Sequence, residues 1–155
     1  MKKRLMARPV LVVSLILALT VVAFAAVRLS KTSFKDNGTT LSTTGKLTGL
    51  GNGDVTIIVS TTGTASTTCT NRGGNNPPGQ QVPVSPSGSA TLPASEIKNG
   101  TVTFTVTTVA PTVTAEQAGC PSPFTATVTD VQFATATVEV KQAGQVVLLQ
   151  SFDIP

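Results

Sequence analysis

From Thr101 to Val109 the chain reads TVTFTVTTV, with Val102, Phe104 and Val106 on one parity and Thr101, Thr103, Thr105 and Thr107 on the other. Strict alternation of this kind suits an extended strand that buries one face, because successive side chains point to opposite sides of the pleat. The pattern recurs. In Phe124–Thr129, Phe124, Ala126 and Val128 oppose three threonines, and in Ala134–Lys141, Ala134, Ala136, Val138 and Val140 oppose Thr135, Thr137, Glu139 and Lys141. Between these two runs Val131 and Phe133 fall on the opposite parity, a slip that a bulge or a tight turn near Asp130 accounts for. Gln145–Ile154 carries apolar residues on both parities. It is either a central strand covered on both faces or an edge used for contact.

Composition agrees. Threonine fills 26 of the 130 positions from Ala26 onward, and its branched β-carbon, like that of valine, fits a pleated, half-buried surface. Further strands are predicted at Thr39–Thr44, Lys46–Leu50, Val55–Thr61, Thr64–Thr70, Val82–Ser85 and Ser89–Leu92. Turn residues separate them at Asn37-Gly38, Gly51-Asn52-Gly53-Asp54, Ser87-Gly88 and Asn99-Gly100, and Ala143-Gly144 turns a last hairpin. Ala26–Asp36 is either a lead-in or a first edge strand. The fold expected is all-β, an immunoglobulin-like β-sandwich with Greek-key connections, and a closed barrel is the alternative.

The first eight residues hold Lys2, Lys3, Arg4 and Arg8, the apolar run Val10–Val22 follows, and Ala23-Phe24-Ala25 offers small residues before Ala26. That order is the pattern of a secretory signal peptide over residues 1–25, leaving 26–155 as one domain. The competing reading is a retained membrane anchor, since Pro9–Val27 approaches the roughly 20 residues that span a bilayer. The expected destination is extracytoplasmic, secreted or at the cell surface or periplasm, by the general secretory route. Removal of the leader changes the charge. The full chain carries +4, whereas from Ala26 onward seven bases face seven acids.

The chain has two cysteines, Cys69 and Cys120. In an oxidising compartment they predict one disulfide. Two thiols without histidine or a carboxylate cluster cannot complete a zinc shell. Two long loops flank them, Asn71–Gln81 (NRGGNNPPGQQ) and Ala110–Pro123, so the bond is expected to staple their bases together at one end of the sandwich.

The absence of histidine removes Ser-His-Asp and Cys-His catalysis. The acids Asp36, Asp54, Glu96, Glu116, Asp130, Glu139 and Asp153 are scattered, which leaves a two-carboxylate hydrolase as the one catalytic design still open. Gly51–Asp54 lacks the alternating acids of a calcium loop, and the glycines of Asn71–Gln81 lack the Lys-Ser/Thr pair and following helix of a phosphate cradle. A neutral mature chain with almost no aromatic side chains argues against nucleic acid. Asn37-Gly38-Thr39 and Asn99-Gly100-Thr101 match the glycosylation acceptor pattern but are also the preferred residues of tight turns.

The segment Cys69-Thr70-Asn71-Arg72-Gly73-Gly74-Asn75-Asn76-Pro77-Pro78-Gly79-Gln80 has company in Leu92–Phe104 and in Ala118-Gly119-Cys120-Pro121 ahead of Phe124–Val131. Together they resemble a set of small secreted bacterial proteins with two cysteines and no assigned activity. The resemblance implies the exported, two-cysteine, all-β design and supplies no catalytic residues. The functional expectation is a non-catalytic surface module in a structural or protein-contact role, with no cofactor and no metal. Its contact loop would present Asn71, Arg72, Asn75, Asn76 and Gln80. The partner is an extracellular protein or a surface glycan, and the 145–154 strand offers a route to self-association. A polysaccharide-binding module and a secreted enzyme inhibitor acting through loop 71–81 are the alternatives.

Overall fold

The computed structural model describes residues 26–155, so the expected leader lies outside the described residues. Eight strands follow in order: β1 Arg28–Asp36, β2 Leu41–Thr48, β3 Val55–Thr70, β4 Val82–Val84, β5 Ser87–Leu92, β6 Thr101–Thr107, β7 Thr125–Gln142 and β8 Gln145–Asp153. They form a three-stranded sheet in the order β1-β2-β6 and a five-stranded sheet in the order β4-β3-β7-β8, with β5 also paired to β3. β4 and β5 lie end to end along one edge of β3, opposite its far and near halves. All the pairings are antiparallel.

The alternating faces meet between the sheets. Leu47 from β2 and Val102, Phe104 and Val106 from β6 pack with Val55, Ile57 and Val59 from β3 and Val138 and Val140 from β7. Phe104 is 4% exposed and lies opposite Gly45, its cross-strand partner. A β-carbon at Gly45 would come within 2.8 Å of both the Phe104 ring and Leu29, so this glycine is the floor on which the aromatic ring rests. Thr39–Thr44 and Lys46–Leu50, read as separate strands, are therefore one strand that Gly45 joins.

The same correction applies twice more. Val55–Thr61 and Thr64–Thr70 belong to one 16-residue strand, and Phe124–Thr129 and Ala134–Lys141 to one 18-residue strand. The parity slip in the latter is real and is resolved by two bulges. Ser66 pairs Asp130 and Thr67 pairs Val128, which leaves Thr129 extra; Thr62 pairs Thr135 and Gly63 pairs Phe133, which leaves Ala134 extra. Each extra residue flips the inward parity of β7. Val131 and Phe133 are buried as a result, while Ala134, assigned to the apolar face by parity, is exposed. Ser87-Gly88 is likewise the start of β5 and not a turn. There the chain passes so close to β6 that a side chain on Gly88 would overlap the Thr107 carbonyl, and Val109 N donates to Ser87 O at 2.9 Å.

Residues 26–36 supply edge strand β1, and the 145–154 segment is the edge strand β8, paired only to β7 among the described residues. The β7–β8 turn is Ala143-Gly144, with φ of 50° and 78°, the left-handed pair that matches the twist of a two-residue hairpin. Gln142 fastens the neighbouring β2–β3 turn: its Oε1 accepts from Gly51 N at 2.9 Å, and its Nε2 donates to the carbonyls of Gly51 and Gly53.

Two measurements check this core. Phe104→Ala is expected to lower unfolding free energy by about 3–5 kcal/mol in denaturant titration; a loss under about 1 would place the ring outside the core. Thr43 is fully buried and its hydroxyl has no hydrogen-bond partner. Thr43→Val removes an orphaned polar atom at constant shape, and should raise stability by about 1 kcal/mol.

Candidate interaction site

β3 outruns the sheet that faces it, and its far half carries the two loops singled out from sequence. After Thr70 the chain reverses and returns along the same edge. Cys69 N donates to Pro77 O at 2.9 Å and Gly79 N to Thr67 O at 2.8 Å, before β4 takes up the pairing. The reversal itself is held by two asparagines. Asn71 Oδ1 accepts from the amides of Gly73 (2.9 Å) and Asn75 (3.0 Å), the short-range side-chain turn that asparagine favours. Thr70 Oγ1 donates to Asn76 Oδ1 at 2.6 Å, and Asn76 Nδ2 donates to Gly74 O at 3.1 Å.

The five candidate contact residues thus divide by role. Asn71 and Asn76 form the turn. Arg72 and Asn75 are exposed at its tip, and neither side chain makes a hydrogen bond among the described residues. Gln80 sits at the base, where its amide donates to Ala118 O at 2.8 Å, its carbonyl accepts from Thr67 Oγ1 at 2.6 Å, and its side chain lies against Gly119.

Cys69 and Cys120 are bonded, with Cα atoms 5.5 Å apart. The bond joins the last turnward residues of β3 to the 108–124 connection, as the loop positions predicted. It is buried with Ala118, and Val113, Ala115, Phe124 and Ala126 close over it. The connection is shaped by a reciprocal pair: Thr114 N donates to Gln117 Oε1 at 2.9 Å and Gln117 N to Thr114 Oγ1 at 3.2 Å. Cys120 N then donates to Ala115 O at 2.8 Å.

The second candidate surface is β8. Val147, Leu148 and Phe152 pack inward, and Phe152 meets Phe34 of β1 edge to face at a centroid distance of 5.2 Å. Val146 and Leu149 point outward, 53% and 64% exposed. The double parity of Gln145–Ile154 comes from an extra residue, Val147: the outward position is even at Val146 before it and odd at Leu149 after it, while Val147, Leu148 and Phe152 face the core. A bulge between Val140 and Lys141 leaves Val147 unpaired near the hairpin end, and Leu148–Asp153 continue in regular register. Val109, at 72% exposure, is an outward apolar residue that its place in an alternating run concealed.

Two of the acids, Asp36 and Asp130, lie by the same residue, Gly38. Among the described residues no group of three or more His, Cys, Asp or Glu side chains is placed to hold a metal ion. Asp36 Oδ1 accepts from Gly38 N at 2.8 Å and Asp54 Oδ1 from Ala94 N at 2.9 Å, so both serve turns. Among the described residues no helix is long and apolar enough to cross a membrane. No protein family matches the chain, and no curated protein matches its sequence.

The disulfide is the test of this end of the molecule. Paired replacement of Cys69 and Cys120 by alanine should lower stability by about 2–4 kcal/mol, the range for a bond closing a loop of this length. Thiol titration of the oxidised protein should find no free sulfhydryl.

Proposed function

We propose that the protein is an exported, non-catalytic module of the cell surface or extracellular space that works by protein contact. Its sandwich is immunoglobulin-like. Support for that comes from the strand order, in which β1-β2-β6 faces β5/β4-β3-β7-β8 and the chain crosses between sheets at β2–β3, β5–β6 and β6–β7. Export is supported by the tripartite leader pattern and by the bonded Cys69–Cys120 pair, which calls for an oxidising compartment. A likeness to small secreted bacterial proteins is in keeping with both.

The observation that carries the contact role is the open edge of β8. Edge strands in soluble proteins are guarded by lysine, proline or bulges because an unpaired row of amides and carbonyls accepts another strand. β1 follows that rule, with Arg28, Lys31 and Lys35 along it and a bulge between Ser30 and Ser33. β8 is guarded less: its sequence QVVLLQSFD holds no lysine, arginine or proline, its one bulge, at Val147, lies at the hairpin end, and it exposes Val146 and Leu149. Strand addition is the mode of recognition that such an edge serves. A second copy of the chain is the simplest occupant, since two β8 edges meeting antiparallel about a two-fold axis extend both sheets into one.

The hairpin tip supports a second reading. Asn71 and Asn76 lock the turn, and the disulfide fixes its base, so Arg72 and Asn75 are presented on a preorganised loop of the kind inhibitors insert into an enzyme cleft.

Sedimentation over rising protein concentration separates the two. A dimer is expected, and Val146→Lys with Leu149→Lys should return it to monomer while Arg72→Ala leaves it unchanged. A protein that stays monomeric throughout, and whose capture of surface proteins is lost with Arg72→Ala, would favour the loop.

A further inference from the structure

The described residues carry no net charge, yet the fold separates their charges. Five of the seven bases from Ala26 onward, Arg28, Lys31, Lys35, Lys46 and Lys98, lie on the three-stranded sheet or on the connection entering it, with Asp36 and Glu96 as the only acids there. The other five acids accompany the five-stranded sheet and its loops, with Arg72 and Lys141. The one ion pair among the described residues is Lys141–Glu139 on β7, so the five bases of the other side have no carboxylate bound to them. A domain neutral in sum is therefore polar across its thickness, and its field draws anions to one face.

That face has a uniform chemistry. The outward positions of β2 are Ser42, Thr44, Lys46 and Thr48, and every outward position of β6 is threonine. β1 adds Arg28, Ser30, Ser33 and Lys35 in register with them, and Lys31 stands at its bulge. No acidic, aliphatic or aromatic side chain interrupts these outward positions. Neighbouring hydroxyls pair, as in Ser33 with Thr44 at 2.6 Å and Ser42 with Thr107 at 2.8 Å, and each pair keeps capacity for a further hydrogen bond.

The face is also relieved. A depression of about 320 Å³ lies where the β1 bulge opens over Gly45, between Lys31, Lys46 and Thr103. A second, of about 560 Å³, continues from Lys46 and Thr103 to Lys98, with Glu96 as the one acid on its wall. Lys31 holds a φ of 52°, a left-handed conformation that costs energy in any residue with a β-carbon. The bulge that imposes it sets an ammonium group at the rim of the first depression. Because Lys31 and Thr32 share one position opposite β2, strand rise places Lys31 and Lys35 roughly 10 Å apart along β1.

We propose that the outer face of the three-stranded sheet binds an anionic polysaccharide. The acidic groups of the polymer pair with Lys31, Lys35 and Lys46, and its hydroxyls bond to the serine and threonine array between them. Charge selects an anion, and the hydroxyl lattice selects a polyol. A nucleic acid would call for side chains that stack on bases, and a membrane for apolar side chains that enter it; the face has neither. This site is on the sheet opposite β8, so its binding and strand addition at β8 succeed or fail separately.

The experiment measures binding of the secreted protein to immobilised polygalacturonate and dextran sulfate. Neutral dextran, single-stranded DNA and phosphatidylglycerol vesicles are the comparisons. Both anionic polysaccharides are expected to bind, with affinity falling as salt rises. Lys31→Gln/Lys35→Gln/Lys46→Gln should weaken binding about tenfold, while Arg72→Gln/Lys141→Gln stays within about twofold. Thermal melting shows whether the triple variant is folded; if it is not, Lys35→Gln and Lys46→Gln singly are each expected to cost about twofold. Equal loss in both multiple variants, no binding to either polysaccharide, or tighter binding to the DNA or the vesicles would overturn the proposal.

Discussion

The β3–β7 ladder is the constraint on which the rest of the molecule depends. These two strands pair along sixteen positions, from Val55 with Gln142 to Thr70 with Thr125. β2 and β6, which cover them, have eight and seven residues. A sheet that short covers only the first half of the ladder, where Val55, Ile57, Val59, Val138 and Val140 form the main core. The second half needs another lid. Leu41, Ala65, Val131 and Phe133 make a second small cluster with Phe34 and Ile154, and the 108–124 connection closes the far end over Cys69 and Cys120.

This overhang explains why the disulfide is where it is. The far end buries few large apolar side chains, and a connection without regular strand must be kept against it. A covalent bond from the end of β3 to Cys120 removes much of the conformational freedom that would otherwise release that lid. The hairpin tip at Asn71–Asn76 inherits its rigidity from the same place, since Gln80 and Thr67 tie its returning arm to Ala118 and to β3.

The bulges on β7 bear on the open edge. Extra residues at Thr129 and Ala134 increase local twist, yet beyond them Thr135–Val140 run in regular register with β8. Both edge strands carry a bulge, but β8 is regular from Leu148 to Asp153 and holds no base, whereas β1 is lined with bases. The two sheets thus present different faces to the surroundings. One has a bare apolar margin, and the other has a basic, hydroxylated surface.

The all-β class, the inward set of β6 and the parity slip near Asp130 were legible because period-two alternation is a local property of neighbouring residues. Cysteine pairing was legible because only one pairing exists. Strand continuity was not. Gly45, Gly63 and Ala134 look like interruptions, and only the partner strands show that the ladder passes through them. The division of Asn71, Arg72, Asn75, Asn76 and Gln80 into turn-formers, tip and base was hidden for the same reason, because side-chain hydrogen bonds depend on where the chain returns. Charge is the sharpest case. A count along the chain gives zero from Ala26 onward, which by itself points to no charged face. The sign of the field on each face depends on which strands share a sheet, and antiparallel pairing gathers Arg28, Lys31, Lys35 and Lys46 on one side while β7 and β8 take acids to the other. Local periodicity determined that this chain makes strands and which side of most of them is buried. Long-range register alone decided which strands are neighbours, and so which edge is open and which face is basic.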